Sequence, residues 1–246
     1  MELSSRRCTR RARLVIALSV SFIPIGVSHA SATPIVLSEN FDNVAGLNAA
    51  GWTFVNNSSP VGTTDWFQGN PAVFSAQSGA PDAYVAANFE AAGFGGNISD
   101  WLIAPMLTLN DGDRVSFYTR TEAGSAFPDR LELRLSTNGA SANVGATDTS
   151  VGDFSTLLLS INPALAPGGY PENWAFFEIV LSGLGGPTDG RFAFRSNVAD
   201  TSVNGDYIGI DTVTVTTVPE PSTLTLVSLG ILATRRRWFA ARSRRS

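Results

Sequence analysis

From Glu39 to Val215 the apolar residues come in short alternating runs, separated by clusters of Gly, Asn, Asp, Ser and Pro. In "RLELRLS", Leu131, Leu133 and Leu135 fall on one side of an extended chain, and Arg130, Glu132 and Arg134 on the other. That two-residue period marks a strand with one face against a core. "RVSFYTR" repeats it, with Val115 and Phe117 inward and Ser116, Tyr118 and Arg120 outward. "RFAFR" turns Phe192 and Phe194 inward between Arg191 and Arg195, and "YIGIDTVTVT" is rich in β-branched residues from Ile208 onward. Turn clusters recur roughly every ten to fifteen residues. The best short helix candidate, Pro81 to Glu90, reads equally well as a strand. The pattern predicts an all-β domain of two packed antiparallel sheets, a β-sandwich.

Both ends break the pattern. Arg6, Arg7, Arg10, Arg11 and Arg13 precede an apolar run from Leu14 to Ile25, and Ser28-His29-Ala30 supplies a small-x-small step. This predicts an N-terminal signal helix over residues 1–30, cut after Ala30. The run is too short to span ~30 Å of hydrocarbon. Arg6-Arg7 also fits a twin-arginine signal, but Cys8-Thr9-Arg10 lacks the apolar pair of that pathway, which favours the ordinary secretory route. Cleavage there removes Cys8 and His29, the only cysteine and histidine. The mature body then has no thiol nucleophile, no thiolate zinc site, no imidazole base and no disulfide.

Charge sharpens the division. The chain has no lysine, and its 17 basic residues are all arginines. Five precede Leu14 and six lie at or beyond Arg235. From Ser31 to Ser222, six arginines face 20 acidic residues, a net charge of −14. An acidic body argues against nucleic acid, because phosphate binding needs clustered cations.

The C-terminal segment has three parts. Pro219 and Pro221 stiffen Val218 to Pro221. Residues 223–234 form an apolar stretch, expected to be a short helix of about 18 Å, with apolar residues all round its axis. Arg235, Arg236 and Arg237 follow as a basic stop expected on the cytoplasmic side. The order Pro219-Glu220-Pro221-Ser222, apolar run, arginines resembles the PEP-CTERM sorting signal. The resemblance implies export from a Gram-negative cell, transient anchoring at the inner membrane by a transmembrane helix, and cutting near the motif by an exosortase. It also implies a setting in which exopolysaccharide is commonly made. The apolar run here is shorter than usual, and Trp238 to Ser246 extends past the arginines. The expected divisions are residues 1–30, a body over 31–217 and a sorting signal over 218–246.

The body resembles the choice-of-anchor J domain, related to cleaved-adhesin and MAM-like jelly rolls. The matching pieces include "ENFDNVAGLNAAGWTFVNNSSPVGTTDWFQGN", "ISDWLIAPMLTL", "FPDRLELRLSTNG" and "DYIGIDTVTV". By that analogy such folds bind carbohydrate or protein and sometimes carry a structural calcium. Glu39 and Asp42 near the first strand and Asp211 in the last are the carboxylates such an ion would take, given neighbouring first and last strands. They serve equally as loop carboxylates or sheet-edge caps.

Trp66 and Phe67, between a Gly-Thr-Thr-Asp turn and Gln-Gly-Asn, are the candidate sugar platform. Trp52 and Trp101, among apolar neighbours, read as core, while Tyr170 and Trp174 stand near strand ends or in loops. Asp129, Glu132 and Glu172 are the carboxylates a glycoside hydrolase would use, though Glu132 between two arginines reads as a cross-strand ion pair. "GFGG" from Gly93 and "PGG" from Pro167 read as turns. These features favour a non-enzymatic surface or matrix protein that engages polysaccharide. A carboxylate-dependent hydrolase and a purely structural coat protein are the alternatives.

Overall fold

A computed structural model describes residues 34–217. The predicted signal helix with Ala30, the motif Pro219–Ser222, the apolar stretch 223–234 and Arg235–Arg237 lie outside the described residues. Thirteen strands follow in chain order. They are β1 (Ile35–Glu39), β2 (Thr53–Asn56), β3 (Ser59–Val61), β4 (Phe67–Gln68), β5 (Val85–Asn88) and β6 (Ala92–Ile103). Then come β7 (Leu107–Leu109), β8 (Arg114–Thr121), β9 (Leu131–Ser136), β10 (Thr156–Ile161), β11 (Ala175–Val180), β12 (Thr188–Val198) and β13 (Tyr207–Thr216). Two 3-10 turns, Val44–Gly46 and Phe89–Ala91, are the helical pieces among the described residues. The ambiguous Pro81–Glu90 stretch resolves as β5, and no helix among the described residues is long and apolar enough to cross a membrane.

The strands form two antiparallel sheets, an all-β sandwich. One has the order β11-β8-β13-β5-β4, with β1 also on β13; the other has the order β10-β9-β12-β6-β2, with β3 on β6 and β7 on β12. First and last strands are neighbours: Glu39 stands opposite Val213. Leu131, Leu133, Leu135, Val115, Phe117, Phe192 and Phe194 share one core between the sheets, as their alternation requires. Phe117 and Phe194, one from each sheet, meet edge to face at 4.9 Å.

The outer faces are not simply solvated. Residues 138–154 cross the outside of the second sheet, where Val144 and Phe154 pack on Trp101, Ile103 and Ala193. Under that cover Glu132 accepts from Arg134 at 2.7 Å and from Arg195 at 3.3 Å, and Arg195 is only 3% exposed. Burial pushes the Glu132 carboxyl up, but the hydrogen bond from Arg134 and the charges of both arginines outweigh it, holding the group below the ordinary carboxylate range. On the first sheet Phe74, Tyr84 and Tyr207 form a smaller aromatic cluster, with Arg120 4.3 Å over the Phe74 ring.

Candidate functional site

The chain between β2 and β5 lines two concave surfaces. Its 59–68 segment is fixed against residues 88–92 by backbone pairing. Gly62 N–H donates to Ala91 O at 3.0 Å and Thr63 N–H to Glu90 O at 2.8 Å. A Cβ on Gly62 would lie 1.9 Å from Glu90 O, so only glycine permits this approach. Asn56 Nδ2 donates to Thr64 O and to Ala91 O, and Thr64 Oγ1 donates to Asn88 Oδ1 at 2.7 Å. The segment is therefore pinned from both neighbouring strands.

Val61 and Thr63 help to line a groove of about 360 Å³, together with Phe89, Glu90 and Phe94. Phe94 is 89% exposed. Its irregular end of β6 is nevertheless held. Thr201 Oγ1 donates to Gly93 O at 2.9 Å and accepts from Gly96 N–H at 3.2 Å, while Thr201 N–H donates to Gly96 O. An aromatic ring is thus presented to solvent on a fixed support, beside the exposed side chains of Val61 and Phe89. The "GFGG" stretch, expected as a turn, lies instead inside β6, where the register with β3 shifts, and its phenylalanine faces solvent. The signal that marks it is an aromatic flanked by glycines, which have no side chains to cover it.

Asp65, Trp66, Phe67 and Gln68, with Asn48 and Phe54, line a second groove of about 460 Å³. Trp66 reaches this groove only at its margin: it is 4% exposed and packed in the main core, so it is not the open platform expected. Phe67 is half-buried, edge-on to Tyr207 at 5.8 Å. Trp52 and Trp101 are core as expected, Tyr170 is buried too, and Trp174 packs edge-on to Phe74 at 5.6 Å.

Beneath this groove three buried polar atoms have no hydrogen-bond partner: Trp66 Nε1 and both carboxyl oxygens of Asp100. Asp100 is 0% exposed. Burial, and after it the nearby charge of Asp65, pushes the Asp100 carboxyl well above the ordinary carboxylate range.

The three expected calcium ligands do not assemble. Asp211, fully buried, accepts at Oδ2 from Gln77 N–H (2.9 Å) and Ser78 N–H (3.1 Å), and at Oδ1 from the Thr212 hydroxyl. Asp42 approaches the same turn, with Oδ1 3.4 Å from where a Cβ of Gly79 would stand. Glu39 turns back to its own strand end and accepts from Phe41 N–H at 2.8 Å. Among the described residues no three Asp, Glu, His or Cys side chains form a metal-holding group. As placed, these residues fit a turn cap rather than a calcium site.

The expected hydrolase carboxylates are also scattered. Glu132 is held in its ion pairs on the covered sheet face. Asp129 and Glu172 line one cavity, but its volume is about 10 Å³. That holds no more than a single water. Asp129 is buried, and burial raises it to about 7. Its Oδ2 lies 3.0 Å from Thr121 Oγ1, which is also 3.0 Å from Tyr207 O. Thr121 has one hydroxyl proton, which these two acceptors share.

Residues 217–245 match the PEP-CTERM protein-sorting motif. No protein of curated function matches the chain in sequence. Among solved structures, the K1 cleaved adhesin domain of Lys-gingipain from Porphyromonas gingivalis is similar at 21% identity and a TM-score of 0.51, over 74% of this chain and 98% of that one. The K3 domain of the same protein aligns at 18% identity and a TM-score of 0.49, over 75% of this chain and 100% of that one. The CBM22-1 xylan-binding domain from Paenibacillus barcinonensis Xyn10C aligns at 16% identity and 0.41, over 78% and 99%. At these identities the likeness speaks for the β-sandwich fold and nothing finer.

Proposed function

We propose that this is an exported surface or extracellular-matrix protein of a Gram-negative bacterium. Its sandwich, of choice-of-anchor J type, binds glycan along the 59–68 edge and performs no chemistry. In this reading the secretion machinery carries the chain across the inner membrane, residues 1–30 are removed, and an exosortase cuts near Pro219–Ser222 after brief anchoring by residues 223–234. The sorting-motif match over residues 217–245 supports that route.

One observation carries the binding: Phe94, 89% exposed on the hydrogen-bonded, irregular end of β6 beside a 360 Å³ groove. An exposed ring covers the apolar face of a pyranose, while Thr63 and Glu90 in the same groove supply hydroxyl partners. The backbone that carries the ring is already held, so stacking costs little backbone entropy. The hydrolase alternative has no comparable support, since its carboxylates meet only in a water-sized cavity.

A glycan array probed with the full chain tests this. Phe94→Ala is expected to weaken binding of the best neutral glycan roughly five- to tenfold, with stability changed by no more than ~0.5 kcal/mol. Unchanged binding by Phe94→Ala would move the site elsewhere. An array with no bound glycan would favour the coat protein.

A further inference from the structure

We propose that a second site, between the end of β12 and the 146–149 loop, binds the carboxylate of an acidic sugar, one uronate unit of an anionic polysaccharide. The cavity there is about 220 Å³. It shares no lining residue with the Phe94 groove, although Asn97 here pairs with Ser59 across the sheet, and it stands whether or not Phe94 binds glycan.

Residues 34–217 carry six arginines against 19 acidic residues, yet Arg130, Arg134 and Arg195 all gather on this face of the second sheet. Arg134 and Arg195 are both paired to Glu132. Arg130 has no ion pair among the described residues. Its Nε donates to Asn197 O at 2.7 Å and its Nη1 to Pro163 O at 3.2 Å. Two carbonyls fix the guanidinium plane without neutralising it, and Nη2 keeps no protein acceptor. A fixed, half-buried guanidinium with spare donors suits a carboxylate.

The remaining lining groups narrow the ligand. Arg195 shares the wall, its guanidinium held by Ser99 Oγ, Glu132 and Asp148 O. Asp148 Oδ2 accepts from Asn97 Nδ2 at 2.8 Å, leaving Oδ1 as an acceptor for a hydroxyl. Asn197 donates through Nδ2 to Glu132 Oε1, and its Oδ1 is another free acceptor. Val198 and Ala199 complete the lining with apolar surface for ring C–H groups. A polyol bearing one acid group matches this mixture of cation, acceptors and apolar wall. A bare phosphate or sulfate has no hydroxyl groups for these acceptors and no C–H face for the apolar wall.

The test is calorimetric titration of the full chain with a galacturonate tetramer and with the neutral galactose tetramer, at low and raised salt. The uronate is expected to bind, more weakly as salt rises, and the neutral tetramer to bind at least tenfold more weakly. Arg130→Gln is expected to cost about 10- to 100-fold in uronate affinity while leaving any Phe94-dependent binding of neutral glycan intact. Arg130→Lys, which keeps the charge but not the planar fork, is expected to fall between, and it serves if the glutamine variant does not fold. No uronate binding, equal binding of the neutral tetramer, affinity indifferent to both Arg130 variants, or sulfate competing as well as uronate would each overturn the proposal.

Discussion

At pH 8, Asp129→Asn is expected to make the protein more stable, by about 4 kcal/mol. The folded protein raises this carboxyl to about 7 through burial, whereas in the unfolded chain it titrates near ~3.9. Between those values the folded state holds a proton that the unfolded state has lost. Its contribution is therefore full below pH ~4 and disappears as pH rises through about 7. Asparagine reproduces the protonated acid. Its oxygen accepts from Asp206 N–H, as Asp129 Oδ1 does at 3.0 Å, and its amide faces the Thr121 hydroxyl, which in the parent donates to Asp129 Oδ2. The gain should shrink toward zero near pH 4. Denaturant titrations at pH 4.5 and 8 check this. A variant less stable than the parent at pH 8 would mean that Asp129 is ionised in the fold and that donation from Asp206 N–H and Thr121 outweighs its burial.

Glu132→Ala should act in the opposite direction. It leaves Arg195, 3% exposed, without its counter-charge beneath residues 138–154. Removing one partner from a buried pair costs about 3–5 kcal/mol, because the remaining charge stays desolvated. For a domain of this size that lowers Tm by roughly 6–20 °C. Glu132→Gln, which keeps the acceptor and removes the charge, should lie between. The loss in Glu132→Ala should also deepen with Arg134 intact, since two arginines then repel across the vacated position. A change below ~1 kcal/mol by thermal melting would show the network to be solvent-screened, as surface pairs are.

Much of the sandwich was legible as alternation. Leu131, Leu133 and Leu135, Val115 and Phe117, and Phe192 and Phe194 all turn inward, because period two leaves no other way to bury them together. The pairing of β1 with β13 was legible from jelly-roll closure. The sites were less so, because loops decide them. Trp66 is buried because the 59–68 segment is pulled onto residues 88–92 by Asn56, Thr64 and Gly62, a long-range event that no local pattern announces. Glu132 and Arg195 stand on the face that alternation makes polar, but the distant 138–154 stretch covers it. Asp100 had a readable signal: in "ISDWLI" the two-residue period puts it on the side of Leu102, a carboxylate aimed at the core. The sorting signal was fully legible, since it is read as a linear motif.

The account rests on a folded sandwich being delivered beyond the inner membrane by signals at its two ends. The most direct test is intact mass and surface level of the protein in its native host, for the parent and for a variant with Pro219, Glu220 and Pro221 all changed to alanine. The account predicts a parent that has lost residues 1–30 and its C-terminal segment and lies at the surface. It predicts a variant that keeps its tail and stays at the inner membrane. Equal masses and equal surface levels, or full-length parent protein in the soluble cell interior, would contradict it.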